Sequence, residues 1–393
     1  MNYNNPVPRS VGTAIVVTCR LLFVAFTFLY LRFMMGDLLA QAQFIFSNGI
    51  TSYNKTLGAL IITAVLVIVQ WIVAKIIKLQ TRYHAVTYFP SFLTLAVLAD
   101  VNQSSFERFS FGGWIWIYPT LWVLFVLAAL WLRRIPEDNV NKGDNSTGRF
   151  LWPNYLALLV MMLATGSIPS TPDVYHYELK MESLIHEGQY EEALRVGEES
   201  LVTSRRLTEL RLYALARTGK MGEKLFDYPM YSKEGAVISI GDTAMIRRVD
   251  YQEICAFIAD SCADSIHSKE QFFSIMDQND TTLNMVLGNY RLANFLLKKD
   301  MEGFMLTSPK YYNLSDTTLL PKAYREAFVL AQVMSKKGEI DDILVQDSCY
   351  DDATWKRYHE YDSLKHQFKD PVERKNRLRR EYGHTAWWFF DYQ

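Results

Sequence analysis

Cysteine, net charge and catalytic fingerprints are all scarce in this sequence. The cysteines are Cys19, Cys255, Cys262 and Cys349, too few and too scattered for a disulfide framework or a cysteine zinc site. Cys255 and Cys262 lie two helical turns apart, and a rise of roughly 10 Å along an intact helix keeps them from bonding each other. In an oxidising compartment Cys349 could pair with either, although buried thiols are the default for all three. The formal net charge is -1, so no general attraction to nucleic acid is expected. No G-x-S-x-G elbow, P-loop or dinucleotide fingerprint occurs, which removes the commonest nucleophile and phosphate-binding devices. His359 and His366 stand seven residues apart beside Glu360 and Asp362, a loose spacing for metal ligands. Neither a metal nor a cofactor is expected. A cleavable signal peptide is not evident either, because the first apolar run is too long and no small-residue cleavage site follows it.

What the sequence has in quantity is long apolar runs, all of them before residue 169. The stretches are roughly residues 11–35, 57–77, 85–99, 114–132 and 150–168. A helix needs about 20 apolar residues to cross the hydrocarbon of a bilayer. Four stretches reach that length. The third is short and carries Pro90; a tilted or kinked span, a re-entrant segment and half of a pair with its neighbour are open to it, and a span is favoured because the loop charges then alternate. With the N-terminus in the cytoplasm, Arg9, Lys75, Lys78, Arg82, Arg133, Arg134, Lys142 and Arg149 all fall inside. The short outer loops then hold only Lys55 and Arg108 as basic residues, beside Asp37, Asp100 and Glu107. That is a positive-inside pattern. Five spans place everything after residue 169 outside the cytoplasm, in the periplasm if the membrane is a bacterial inner membrane.

Arg20 is the least expected residue in this half. It sits about nine residues into the first span, roughly 13 Å deep by helical rise, where a charge is costly and often functional. Gln70 and Thr94 fall at a similar depth in the next two spans. Two readings stay open. The three residues form a polar layer that holds an anionic group, or Arg20 snorkels to the headgroups while Gln70 bonds a neighbouring helix.

After residue 169 the sequence turns charged and helix-forming, so the domains read as 1–168, membrane, and 169–393, helical. The run YELKMESLIHEGQYEEALRVGEESL contains Gly188, Tyr190 and Ala193. It resembles the turn and second helix of a tetratricopeptide repeat, with Gly188 in a left-handed turn, Tyr190 packed back on the preceding helix and Ala193 small enough for a close crossing. Met181 replaces the small residue usual in the first helix. A second unit, TELRLYALARTGKMGEKLFDY, turns at Gly219, and a third, KAYREAFVLAQVMSKKGEIDDILVQ, follows Pro321 and turns at Gly338. Between them, residues 251–266 and 281–299 read as helices and residues 236–240 as a short extended piece. The fold class is thus all-α, a polytopic membrane domain of about five spans followed by a curved α-solenoid.

The chain ends on EYGHTAWWFFDYQ, with Trp387, Trp388, Phe389, Phe390 and Tyr392. A row of aromatics this dense requires cover. Three covers are open: the last helix pair, with the tail as a solenoid cap; the membrane interface, with Arg377, Arg379 and Arg380 on the headgroups; or a partner protein.

Taken with YFPSFLTLAVLADV and LPKAYREAFVL, the GHTAWWFFDY end is similar to a family of uncharacterised Bacteroidota inner-membrane proteins of unknown function. That resemblance implies a membrane location and a helical outer domain, and supplies no catalytic residues. The expected function is a membrane scaffold or assembly factor whose partners are the lipid bilayer and a protein bound through residues 174–393. The alternative is a membrane-embedded transferase acting on a lipid-linked or envelope substrate, since multi-span glycosyltransferases resemble this layout. Its candidate carboxylates are Asp37, Asp100 and Glu107.

Overall fold

The computed structural model describes residues 9–100, 112–135, 146–167, 172–232, 237, 247–259, 272, 284–314, 320–338, 340 and 349–393. Among the described residues the secondary structure is entirely helical. Arg108, Lys142, Cys262, Glu107 and most of the extended piece at 236–240 lie outside them. The chain divides into two compact units, Met1–His176 with Ala244–Ile246, and Tyr177–Thr243 with Arg247–Gln393.

In the first unit, helix α1 (Arg9–Leu29) runs on through a π-helical turn at Tyr30–Met34. It is followed by α2 (Gly36–Phe46), α3 (Lys55–Ile77), a 3-10 helix (Thr81–Tyr88), α4 (Phe89–Ala99), α5 (Trp114–Arg134) and α6 (Ser146–Ser167). Four of these helices are long and apolar enough to cross a membrane: Val11–Met34, Lys55–Ile77, Trp114–Arg134 and Phe150–Ser167. Their outward faces carry Leu21, Leu60, Ile61, Leu127, Trp131 and Leu163, all more than half exposed. Such a surface is stable against hydrocarbon and costly against water, which marks the chain as a membrane protein.

The short third stretch occupies the middle of this unit. The 3-10 helix and α4 pack against α1, α3 and α6, and α4 also against α5. Consequently Tyr88, Ser91, Phe92, Leu95, Ala96 and Ala99 are buried. Pro90 sits in the first turn of α4, where a missing N–H costs nothing.

The second unit is built of helix hairpins. Helix α7 (Asp173–His186), in which the division between units falls, is followed by α8 (Tyr190–Leu194), then α9 (Arg205–Arg217) by α10 (Met221–Lys224). Then come α11 (Tyr251–Ala259), α12 (Met285–Leu297), α13 (Met301–Tyr311), α14 (Lys322–Lys336), α15 (Asp352–Gln367), α16 (Pro371–Tyr382) and α17 (Ala386–Tyr392). Side chains cap many of these starts: Ser204, Asn284, Asp300, Asp351, Asp370 and Thr385 each accept a first-turn N–H. Most helices pack on their neighbours in sequence, as α8 on α9, α12 on α13, α13 on α14 and α14 on α15, while α17 returns to pack on α14.

Candidate functional site

Three hairpins close through one turn geometry. After α7, Gln189 N–H donates to Leu184 O at 2.8 Å and Gly188 N–H to Ile185 O at 2.9 Å. After α9, Lys220 N–H reaches Leu215 O at 2.9 Å and Gly219 N–H reaches Ala216 O at 3.1 Å. After α12, Asp300 N–H reaches Phe295 O at 2.9 Å and Lys299 N–H reaches Leu296 O at 3.1 Å. Each is a Schellman turn with a left-handed residue at its centre, φ +75° at Gly188, +69° at Gly219 and +59° at Lys299. Gly338 repeats the conformation at φ +73° after α14. The turn at Lys299 carries no glycine, so the sequence pattern passes over it.

The hairpins depart from regular tetratricopeptide units in their second arms. Helix α8 spans five residues and α10 four. Arg195 caps α8, and Gly197 then turns left-handed at φ +63° directly under the Tyr177 ring. Ala193 is fully buried, as its small size requires. Tyr190 packs forward: its ring meets Tyr213 edge-on at 6.2 Å, and its hydroxyl accepts from Arg217 Nε at 3.0 Å.

Charge is buried at the first two hairpins. Arg206 donates from Nε to Glu182 at 2.8 Å, from Nη1 to Glu209 at 2.7 Å and from Nη2 to Val249 O at 2.5 Å. Burial works against the guanidinium charge, but the two carboxylates outweigh it and raise its pKa. The cluster ties α7, α9 and the segment before α11 together. Burial also raises the Glu178 carboxyl, which accepts from Ser204.

The aromatic tail is ordered as helix α17. Trp387, Trp388 and Phe389 are buried, while Phe390 and Tyr392 are partly so. Trp387 and Trp388 share one core with Val329, Tyr358, Tyr361, Leu378 and Tyr382, and Tyr392 packs at its edge. Phe389 meets Phe226 at 5.0 Å between ring centroids. Glu326 of α14 anchors the start of the tail: its Oε2 accepts from Ala386 N–H at 2.9 Å and its backbone O from Trp387 Nε1 at 2.9 Å. Burial pushes the Glu326 carboxyl up to about 7, against the pull of Lys322. Beside this core, Lys356, His359, Glu360, Ser363 and Gln367 of α15 face Glu381 and Tyr382 of α16 across an open groove of about 450 Å³. His359 stacks edge-on to Trp355 at 4.8 Å, and His366 Nδ1 lies 2.7 Å from Asp362 O.

In the first unit Gln70 and Thr94 each bond a separate partner. Gln70 Nε2 donates to Thr87 Oγ1 at 3.0 Å, and the Thr94 and Tyr118 hydroxyls meet at 3.1 Å. Arg20 stands beside Tyr88 and His84. Asn154 is the residue that sequence reasoning missed. Buried in α6, it donates to Thr81 O and Arg82 O at 3.1 Å each and accepts from Ala85 N–H at 2.7 Å. An asparagine following Pro153 inside an apolar run was the available signal. Of the transferase carboxylates, Asp37 pairs with Lys55 at 2.6 Å and Asp100 accepts from Trp114 Nε1 at 2.6 Å; Glu107 lies outside the described residues. Cys19 and Cys255 are buried free thiols and Cys349 is buried as well, and burial raises Cys255 to about 12.

No curated protein and no solved structure matches the chain. Residues 108–255 and 242–393 match the model of a family of unknown function, DUF6057, and on that extent of match the chain belongs to this family.

Proposed function

We propose that the protein is an integral membrane scaffold that presents its second unit, a solenoid-like series of hairpins similar to tetratricopeptide repeats, for binding another protein. The observation that carries this reading is the succession of hairpins closed by one turn geometry, ending at the open groove between α15 and α16. Stacked hairpins of this kind offer a long, rigid, mixed-charge surface. The groove presents Lys356 and His359 beside Glu360 and Glu381, groups suited to a polar peptide. Asp37 and Asp100 are held in local structural contacts, which favours this reading over the transferase.

The topology that accompanies it has five crossings, with the 3-10 helix and α4 forming the third, the N-terminus in the cytoplasm and residues 174–393 in the periplasm of a bacterial envelope. A photo-crosslinking amino acid placed at Lys356 or Glu360 in native membranes should capture one discrete protein in near-stoichiometric yield. The same label at Lys375, which reaches toward α17 and donates to Tyr392 O outside the groove lining, should not. Diffuse or absent adducts at both groove positions would sink the scaffold reading at this groove.

A further inference from the structure

We infer that Arg20, His84 and Tyr88 form an oxyanion-binding site inside the membrane unit, suited to a phosphate group.

The argument begins with an uncompensated charge. Arg20 lies on α1 and is half-buried. Among the described residues, the ionisable groups that act on His84 and Tyr88 are Arg20 and Cys19, with no carboxylate among them. A guanidinium in apolar surroundings without a carboxylate needs another anion or a route to water.

A second observation concerns hydrogen bonds. Among the described residues, Arg20 Nε, His84 Nε2 and the Tyr88 hydroxyl are all buried without a hydrogen bond of strict geometry. Tyr88 is fully buried, its ring packed on Phe23 at 5.0 Å and edge-on to His84 at 5.8 Å. Arg20 acts on the Tyr88 hydroxyl both as a charge and as a loose hydrogen-bond partner, a contact outside strict hydrogen-bond geometry. Buried polar atoms are almost always paired, and three orphans from two adjacent elements indicate a missing partner that accepts hydrogen bonds. A phosphate oxygen meets that need with a negative charge and several lone pairs.

The groups also share a level in the unit. A Cβ on Gly12 would stand 3.8 Å from the Thr81 side chain, so α1 and the 3-10 helix start side by side. Arg20 lies eight residues beyond Gly12, about 12 Å along an α-helix. Tyr88 lies seven residues beyond Thr81, at most about 14 Å along a 3-10 segment kinked at Tyr83.

The site is held rigid from behind. Asn154 fixes the turn at Thr81, Arg82 and Ala85, Gln70 holds Thr87, and Ser91 Oγ donates to Leu66 O at 2.9 Å. These bonds fix the segment that carries His84 and Tyr88, which is the economy of a preorganised site. Phosphate could arrive free or on a lipid headgroup, and both offer the same oxygens.

The test uses the full-length protein in phosphatidylcholine nanodiscs. One arm adds phosphatidylglycerol to the discs; the other adds inorganic phosphate, with chloride at matched ionic strength as the control. The thermal midpoint and the ligand retained in native mass spectrometry are read. A rise with phosphatidylglycerol alone assigns the site to a lipid headgroup, and a rise with phosphate assigns it to the free ion. Either result supports the site only if Arg20→Gln weakens the response about tenfold, as loss of a charge-assisted hydrogen bond should. Tyr88→Phe keeps the ring packed and removes one donor, so it should weaken the response severalfold even if Arg20→Gln fails to fold. A wild type that responds to neither ligand, or a Tyr88→Phe variant that responds as the wild type does, overturns the inference.

Discussion

At the scale of single residues, Glu326 gives the sharpest consequence. Its carboxyl is only 3% exposed and holds the N–H of Ala386, the first residue of the tail helix. Its pKa rises from 4.5 to about 7. The folded state therefore keeps a proton that the unfolded state has already lost between those values. Stability is fully present below about pH 4.5 and falls as pH rises through 7, because the unfolded state binds fewer protons there. A shift of this size corresponds to stability on the order of 3 kcal/mol. Glu326→Gln retains an oxygen acceptor for Ala386 and cannot ionise. Its unfolding free energy should decline less than that of the wild type from pH 5 to 7.5. Denaturant unfolding of both proteins across that range checks this, and parallel profiles would contradict it. The sequence hid Glu326 for a physical reason. In KAYREAFVL it occupies a polar position of an amphipathic helix, and only the return of α17, some sixty residues later, buries it. Asn154 and Lys299 were hidden for related reasons, one because its partners lie seventy residues away, the other because a lysine occupies a conformation that glycine usually marks.

At the scale of elements, the hairpin turns were legible because their signal is local. Gly188, Gly219 and Gly338 follow apolar stripes, and each adopts positive φ. A Cβ at Gly188 or Gly219 meets nothing within 4 Å. Alanine there is penalised by its backbone alone, about 1–2 kcal/mol for a left-handed residue. Gly188→Ala and Gly219→Ala should thus destabilise the protein by similar amounts despite their different surroundings. Gly222→Ala should cost more for another reason, since its Cβ would stand 2.6 Å from Pro321 and 3.0 Å from Tyr324. Equilibrium unfolding of the three variants separates backbone strain from overpacking. The lengths of the second arms were less legible. Periodicity in EEALRVGEESL continues past Leu194, but Gly197 turns the chain under Tyr177, and that contact is tertiary.

At the scale of the whole molecule, the decisive question is whether the third apolar stretch crosses the membrane. Helix α4 alone is 11 residues, too short for a hydrocarbon core of about 30 Å. With the preceding eight-residue 3-10 segment, which is kinked at Tyr83, the element reaches at most about 32 Å, because each 3-10 residue rises about 2 Å. Its place among α1, α3, α5 and α6 also frees it from the lipid contact that dictates length in an exposed span. If it crosses, Lys75, Lys78 and Arg82 share a side with Arg133 and Arg134, while Asp37, Lys55 and Asp100 lie opposite. If it does not, Arg133 and Arg134 move outward and the positive-inside pattern breaks. Paired fusions distinguish the two arrangements. Alkaline phosphatase joined after residue 175 should be active, and a fluorescent protein joined there should stay dark. Joined after residue 79, the fluorescent protein should shine and the phosphatase should be inactive. Fluorescence at residue 175 would return the second unit to the cytoplasm. It would place Lys356, His359 and Glu360 before a different set of partners, and a periplasmic scaffold could not then be maintained.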